Sequence, residues 1–133
     1  MRINRKQVKI IDTAEQAFVS GDWFAFDQLL RDHPSIILGH RSSSQATFLH
    51  YAVWKKNHVL VKALIKAGAD VNWQNNQGYT PLINACAAGD DASAQLLLRA
   101  GADTSLRDHM GRDAACFGLL ETKPKMKIKR KER

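Results

Sequence analysis

Thr80-Pro81-Leu82-Ile83-Asn84-Ala85 repeats the pattern of Thr47-Phe48-Leu49-His50-Tyr51-Ala52, 33 residues upstream. Leu97-Leu98-Arg99-Ala100-Gly101-Ala102-Asp103 repeats Leu64-Ile65-Lys66-Ala67-Gly68-Ala69-Asp70 at the same interval, and Gly78 returns as Gly111, again 33 residues on. Several markers recurring in one order at one spacing indicate stacked supersecondary units, none of which buries its apolar faces alone.

The residues explain the unit. Thr80 suits an N-cap, and Pro81 fits the first helical position, where its missing N–H costs nothing. A first helix running to about Ala88 then meets Gly89, which takes the positive φ that ends it. A second helix carries Leu96, Leu97 and Leu98, apolar over a wide arc because it packs on its partner and on neighbouring units. Gly101 stops it, and the chain turns toward Gly111. Thr47, Leu64-Ile65 and Gly68 mark the same plan one unit earlier.

With these motifs the chain resembles the ankyrin-repeat family, through the Thr-Pro-Leu-His type segments Thr47–His50 and Thr80–Ile83 and the Gly-Ala-Asp endings at Asp70 and Asp103. Asn72 fits the family's Asp-Val-Asn ending. The resemblance implies an all-α ankyrin-repeat solenoid, helix-turn-helix units joined by hairpin-like loops. Other helix-pair repeats, with periods of about 34 or 40–47 residues, lack the Gly-Ala-Asp stop followed by a Gly-x-Thr-Pro-Leu restart.

The match is strongest over residues 45–111 and weakens on either side. Upstream the interval is 35: Ala17 aligns with Ala52, Asp22 with Asn57, Phe26 with Val61, and Leu29-Leu30 with Leu64-Ile65. The two extra residues fall in His40–Ser44, and His33-Pro34 replaces the Gly-Ala pair. The expected organisation is an array over residues 1–122: a degenerate first unit at 10–44, units at 45–77 and 78–110, and a truncated cap at 111–122. A basic tail, 123–133, follows. The cap lacks its second helix, which leaves an apolar edge at Leu119-Leu120 for a partner or a second copy to cover.

Net charge is +7, but it sits at the ends. Residues 123–133 contribute +6 and residues 1–9 contribute +4, leaving −3 for the body. Charged residues at 25% and hydrophobic ones at 44% are ordinary for a globular domain. No apolar run reaches the roughly 18 residues of a membrane span, and no secretory signal follows the basic start, so the expected location is cytoplasmic, or nuclear in a eukaryote. Cys86 and Cys116 lie in apolar stretches and read as packed, unreactive residues.

We assign no catalytic residue, no metal site and no cofactor. The five histidines form no His-Glu-x-x-His or Cys-x-x-Cys pattern, and no phosphate-cradling Gly-rich loop is present. Adjacent Asp90-Asp91 do not face one another on a helix and read as a solvated helix start. By resemblance, His50 is the motif histidine that hydrogen-bonds between units. Also by resemblance, Asn72 sits where ankyrin asparagines are hydroxylated in animals, although the same Asn is a common structural residue of the family.

The resemblance further implies binding of another protein through loop tips and the exposed face of each first helix. Carried over by position, that surface holds Trp54 and Lys55, then Trp73, Gln74, Asn76, Gln77 and Tyr79, then Arg107, His109, Met110 and Arg112. Trp54 and Tyr79 are either its anchors or cover over their own units; Trp and Tyr are the residues most enriched in hot spots. Trp23 and Phe24 read as core or cap residues. The tail is a solvated end, a nuclear-localisation cluster at Lys129-Arg130-Lys131, or an electrostatic contact to nucleic acid or an acidic protein. With no aromatic to stack on bases, it does not read sequence. The oligomeric state is open.

Overall fold

The computed structural model describes residues 4–117. Its elements are α1 (Arg5–Ser20), α2 (Trp23–Asp32), α3 (Pro34–Gly39), α4 (Phe48–Trp54), α5 (His58–Lys66), α6 (Pro81–Ala87), α7 (Asp91–Arg99) and a 3-10 turn (Ala114–Phe117). No strand occurs among the described residues. Helices pair as α1 with α2, α4 with α5 and α6 with α7, and the pairs stack through α4 on α6, α5 on α7 and α2 on α5. This is the all-α solenoid that the resemblance implies.

Capping sets the helix starts. Asn4, Asp22, Thr47, Asn57, Thr80 and Asp90 each accept a backbone N–H at the head of their helix, and such a cap is worth roughly 0.5–2 kcal/mol. Pro81 occupies the first turn of α6, and Gly89 and Gly101 take positive φ beyond the C-caps of α6 and α7. Helix α1 starts at Arg5, ahead of residue 10, because Asn4 and Gln7 close a capping box there.

Burial follows the repeat register. Phe26, Val61 and Ala94 are fully buried at equivalent positions of α2, α5 and α7. One turn later the interval changes: Leu30, not Leu29, takes the buried place held by Leu64 and Leu97. The first unit fills its core with aromatics. Phe18, Phe26 and Phe48 meet with ring centroids 4.9–5.7 Å apart, and Trp23 packs edge-on to Phe18 at 5.3 Å.

Residues 34–39, to which the sequence reading gave no element, form α3: Pro34 opens it and Ile37 is fully buried as it folds against α1 and α2. Three sequence expectations change. Phe24 is not core but 81% exposed, since Trp23 and Phe26 take the inward face of α2. Cys116 is exposed on the 3-10 turn, whereas Cys86 is buried as expected. Asp90 is buried, not solvated, for reasons given below. The apolar edge at Leu119-Leu120 and the tail at 123–133 lie outside the described residues.

Candidate partner-binding surface

The loops between helix pairs form three equivalent tight hairpins. The N–H of Ser42 bonds the carbonyl of Ala46, Asn75 that of Tyr79, and Asp108 that of Arg112, at 2.9–3.0 Å. A side-chain oxygen of the first residue in each (Ser42 Oγ, Asn75 Oδ1, Asp108 Oδ1) accepts the N–H of the last, completing the turn. Gln45, Gly78 and Gly111 take φ of 63°, 83° and 80° at the position before it.

Hydrogen bonds then clamp hairpin to hairpin. The N–H of Asn76 donates to the Ser44 carbonyl and that of His109 to the Gln77 carbonyl, both at 2.9 Å and one repeat apart. The Gln74 amide donates to the carbonyls of Gly78 (3.0 Å) and Arg107 (2.8 Å). The Trp73 indole N–H donates to the Gln45 carbonyl at 2.7 Å, and the Arg41 guanidinium lies 4.0 Å from the Trp73 ring centroid. Asn72 Oδ1 accepts the Asp103 N–H at 2.8 Å. The loop tips are therefore held as one ladder.

The proposed contact residues divide by these ties. Asn76, Gln77, His109 and Met110 sit exposed at neighbouring tips, with Met110 76% accessible. Gln74 and Trp73 are committed to inter-hairpin bonds. Arg107 donates to the Gly111 carbonyl at 2.7 Å, and Arg112 pairs with buried Asp108 at 3.0 Å and lies over Phe117. Tyr79 is half-buried against the core, with its hydroxyl 3.4 Å from Arg112 Nη2. Trp54 is 69% exposed at the end of α4, its ring edge-on to Tyr51 at 6.3 Å, and Lys55 beside it is exposed.

Trp54 and Lys55 belong to a groove of about 350 Å³ between α1 and α4, of which Tyr79 is no wall. Phe18, Phe48 and Tyr51 contribute apolar lining, and Val19, 75% exposed, lines the groove together with Trp54. Glu15 lies on the α1 rim and accepts a hydrogen bond from His40 Nε2 at 2.9 Å. The sequence reading missed Val19, yet the 35-residue register of the first unit pairs it with Trp54. That alignment was the available signal.

Two buried polar groups join units beneath this surface. His50 Nε2–H donates to the Tyr79 carbonyl at 2.8 Å, while Nδ1 accepts from Thr47. A carbonyl partner requires the proton on Nε2, and burial pushes the His50 pKa below its ordinary 6.5. Asp90 caps α7 through the N–H and hydroxyl of Ser93 and accepts from His58 Nε2 of α5 at 2.9 Å. Burial pushes its pKa up, but the bonds from Ser93 and His58 prevail and hold it below the ordinary 3.8. Among the described residues no three His, Cys, Asp or Glu side chains group as metal ligands would, and no helix is long and apolar enough to cross a membrane.

A family model described as ankyrin repeats, in three copies, matches residues 16–108. The chain is 33% identical over 105 residues to the probable 26S proteasome regulatory subunit p28 of Saccharomyces cerevisiae, covering 77% of this chain and 46% of that protein. It is 38% identical over 65 residues to the ADP-ribosylation factor GTPase-activating protein AGD2 of Arabidopsis thaliana, 49% of this chain and 8% of that one. With the human Arf-GAP with coiled-coil, ANK repeat and PH domain-containing protein 2 it shares 33% identity over 84 residues, 62% of this chain and 11% of that protein. The chain thus spans less than half the length of each of these relatives.

Proposed function

This chain belongs to the ankyrin-repeat family, whose repeats are protein-interaction modules, and we propose that it recognises one partner protein through its hairpin tips and the exposed end of α4. The observation that carries this reading is the clamped hairpin ladder, Asn76 to Ser44 and His109 to Gln77, which holds the tips in place before any partner arrives. Pre-organised loops lose little ordering entropy on binding, so contact energy is retained as affinity. Trp54 and Met110 are the exposed large apolar groups of this surface, and Trp54 is its anchor. The two free cysteines fit a reducing compartment, cytoplasmic or nuclear. The module catalyses nothing; the enzymatic names among its relatives describe those proteins.

The test is affinity capture from nuclease-treated lysate with the full chain, the Trp54→Ala chain and residues 1–122. One discrete protein retained by the full chain and by residues 1–122, and lost with Trp54→Ala, is the expected result. Capture that needs residues 123–133 and vanishes with nuclease would replace this reading with nucleic-acid association through the basic tail, which would also weaken steeply with salt.

A further inference from the structure

We propose that the shallow groove between α5 and α7 is a second docking surface, taking a protein segment in which a bulky apolar side chain is flanked by Asp or Glu. It lies on the second helices of the pairs, apart from the hairpin tips and the α4 end invoked above.

The groove encloses about 400 Å³, near the lower end of the roughly 300–1,000 Å³ of small-ligand sites, room for one or two side chains rather than a whole helix. Val59 of α5, 81% exposed, and Ala92 and Leu96 of α7 supply its apolar lining. A hydrophobic group that enters therefore removes apolar surface of both helices from water at once.

The charges here have one sign. Lys62 and Arg99 line the groove, neither makes an ion pair among the described residues, and no Asp or Glu is part of the lining. His58, at the head of α5, donates its Nε2 proton to buried Asp90. That couple carries −1 with a neutral imidazole and zero with a protonated one, so with Lys62 and Arg99 the groove stands at +1 or +2. The other charged residues of the two helices, Lys66 and Asp91, are one of each sign. The balance is positive in either protonation state, although residues 10–122 as a whole carry −3.

These features choose among occupants. A nucleic-acid backbone would meet Lys62 and Arg99 but cover Val59 with phosphate, and no aromatic lines the groove for a base to stack on. The chain's own residues 118–133 carry seven Lys or Arg against Glu121 and Glu132, the wrong sign. An acidic protein segment with one bulky apolar residue satisfies both the cations and the apolar lining. Phe24 supplies the contrast: it holds the register of Val59 35 residues earlier and is equally exposed, but Arg31, the one cation of its helix, is paired with Asp27 at 2.7 Å. Unpaired cations beside the apolar group, not its exposure alone, set the α5–α7 groove apart.

The probe is a random dodecapeptide library displayed on phage, selected on the full chain and cleared of clones that also bind Val59→Ser. Val59, Lys62 and Arg99 are exposed, so variants there leave the core intact. The remaining clones should carry a bulky apolar residue within two positions of Asp or Glu. As synthetic peptides they should bind a chain with Lys62→Glu and Arg99→Glu about tenfold more weakly at low salt, the difference shrinking as salt rises. Phe24→Ser and Trp54→Ala should leave their affinity unchanged, which keeps this test separate from that of the recognition reading. The proposal is overturned if no clone survives the clearing, if the surviving clones lack an acidic residue, or if they ignore the two charge reversals. Equal competition by a thymidine homopolymer overturns it in favour of nucleic acid, and equal competition by a peptide of residues 118–133 in favour of the chain's own end. A dimer in sedimentation that Val59→Ser dissolves overturns it in favour of a second copy.

Discussion

His50 of α4 and Tyr79, 29 residues later, are joined by an Nε2–H···O=C bond of 2.8 Å that ties the second helix pair to the hairpin opening the third. The bond is buried, so removing the imidazole strands a carbonyl where water does not reach. His50→Gln, which can still cap back toward Thr47, should cost about 1–3 kcal/mol in urea unfolding. The pH dependence has a definite sign. Because burial holds the folded His50 pKa below 6.5, the unfolded chain binds its proton first. Stability from this group is present above 6.5 and is lost as pH falls from there to the folded value. Comparing urea midpoints at pH 7.5 and 5.5, His50→Gln should differ from wild type by less at the lower pH; a wider gap there would refute the assignment.

Gly78 has both a positive φ and no room. A Cβ there would lie 2.8 Å from Asp108 Cα and from the His109 backbone nitrogen, in the next hairpin. Gly78→Ala should destabilise by at least about 1–3 kcal/mol and loosen the third hairpin. Amide exchange at His109, whose N–H is bonded to Gln77, is the local readout.

Lys56 presents the reverse case. It holds φ of 57° at the register of Gly89. A left-handed non-glycine residue costs roughly 1–2 kcal/mol, while glycine loses roughly 0.5–1 kcal/mol in unfolded-state entropy. Lys56→Gly should therefore raise stability by about 0.5–1 kcal/mol; a lower unfolding midpoint would contradict the strain.

Asp90→Ala removes a cap from α7 and the acceptor of His58 together. A loss of about 2 kcal/mol or more is expected, combining the cap with a hydrogen bond to a charged group. Since the folded Asp90 pKa is depressed, its contribution is present above 3.8 and is lost as pH falls through the folded value. Acid titration of wild type and variant should therefore converge well below pH 3.8 and separate above it.

The two thiols should differ in reactivity. Burial, with the charge of Asp91 adding to it, pushes Cys86 up to about 11, while Cys116 is exposed. A disulfide reagent at pH 8 should modify one thiol quickly and the second only after denaturant is added. Two fast thiols would show that the third helix pair opens.

The repeat register made most of the fold legible. Capping threonines, the glycine stops and the 33-residue interval are local chemistry, and each needs only a few neighbouring residues to act. The exceptions have a common cause. Phe24 and Phe26 are the same residue type two positions apart, and only the packing of α2 sends one outward and the other fully inward. Asp90 looks like an ordinary helix-start acid until α5 brings His58 against it. Helix α3 follows His33-Pro34, which stand in place of the Gly-Ala stop, and it buries Ile37, for which no other unit offers a template.

For the candidate surface, the sequence located the hairpin tips and singled out Trp54 and Tyr79, but left anchor and cover unseparated. Tertiary structure separated them: Trp73 and Gln74 are spent on bonds between units and Arg112 on Asp108 of its own hairpin, while Trp54 and Met110 stay exposed. It also brought Val19 of α1 and Trp54 of α4 to the lining of one groove, although the two helices lie far apart in the chain. The sequence by itself determined the unit, its period and its caps, because those are set by local backbone preference repeated at a fixed interval. Only the stack decided which side chains are consumed in holding it together and which are left over, because that depends on what each neighbouring unit presents.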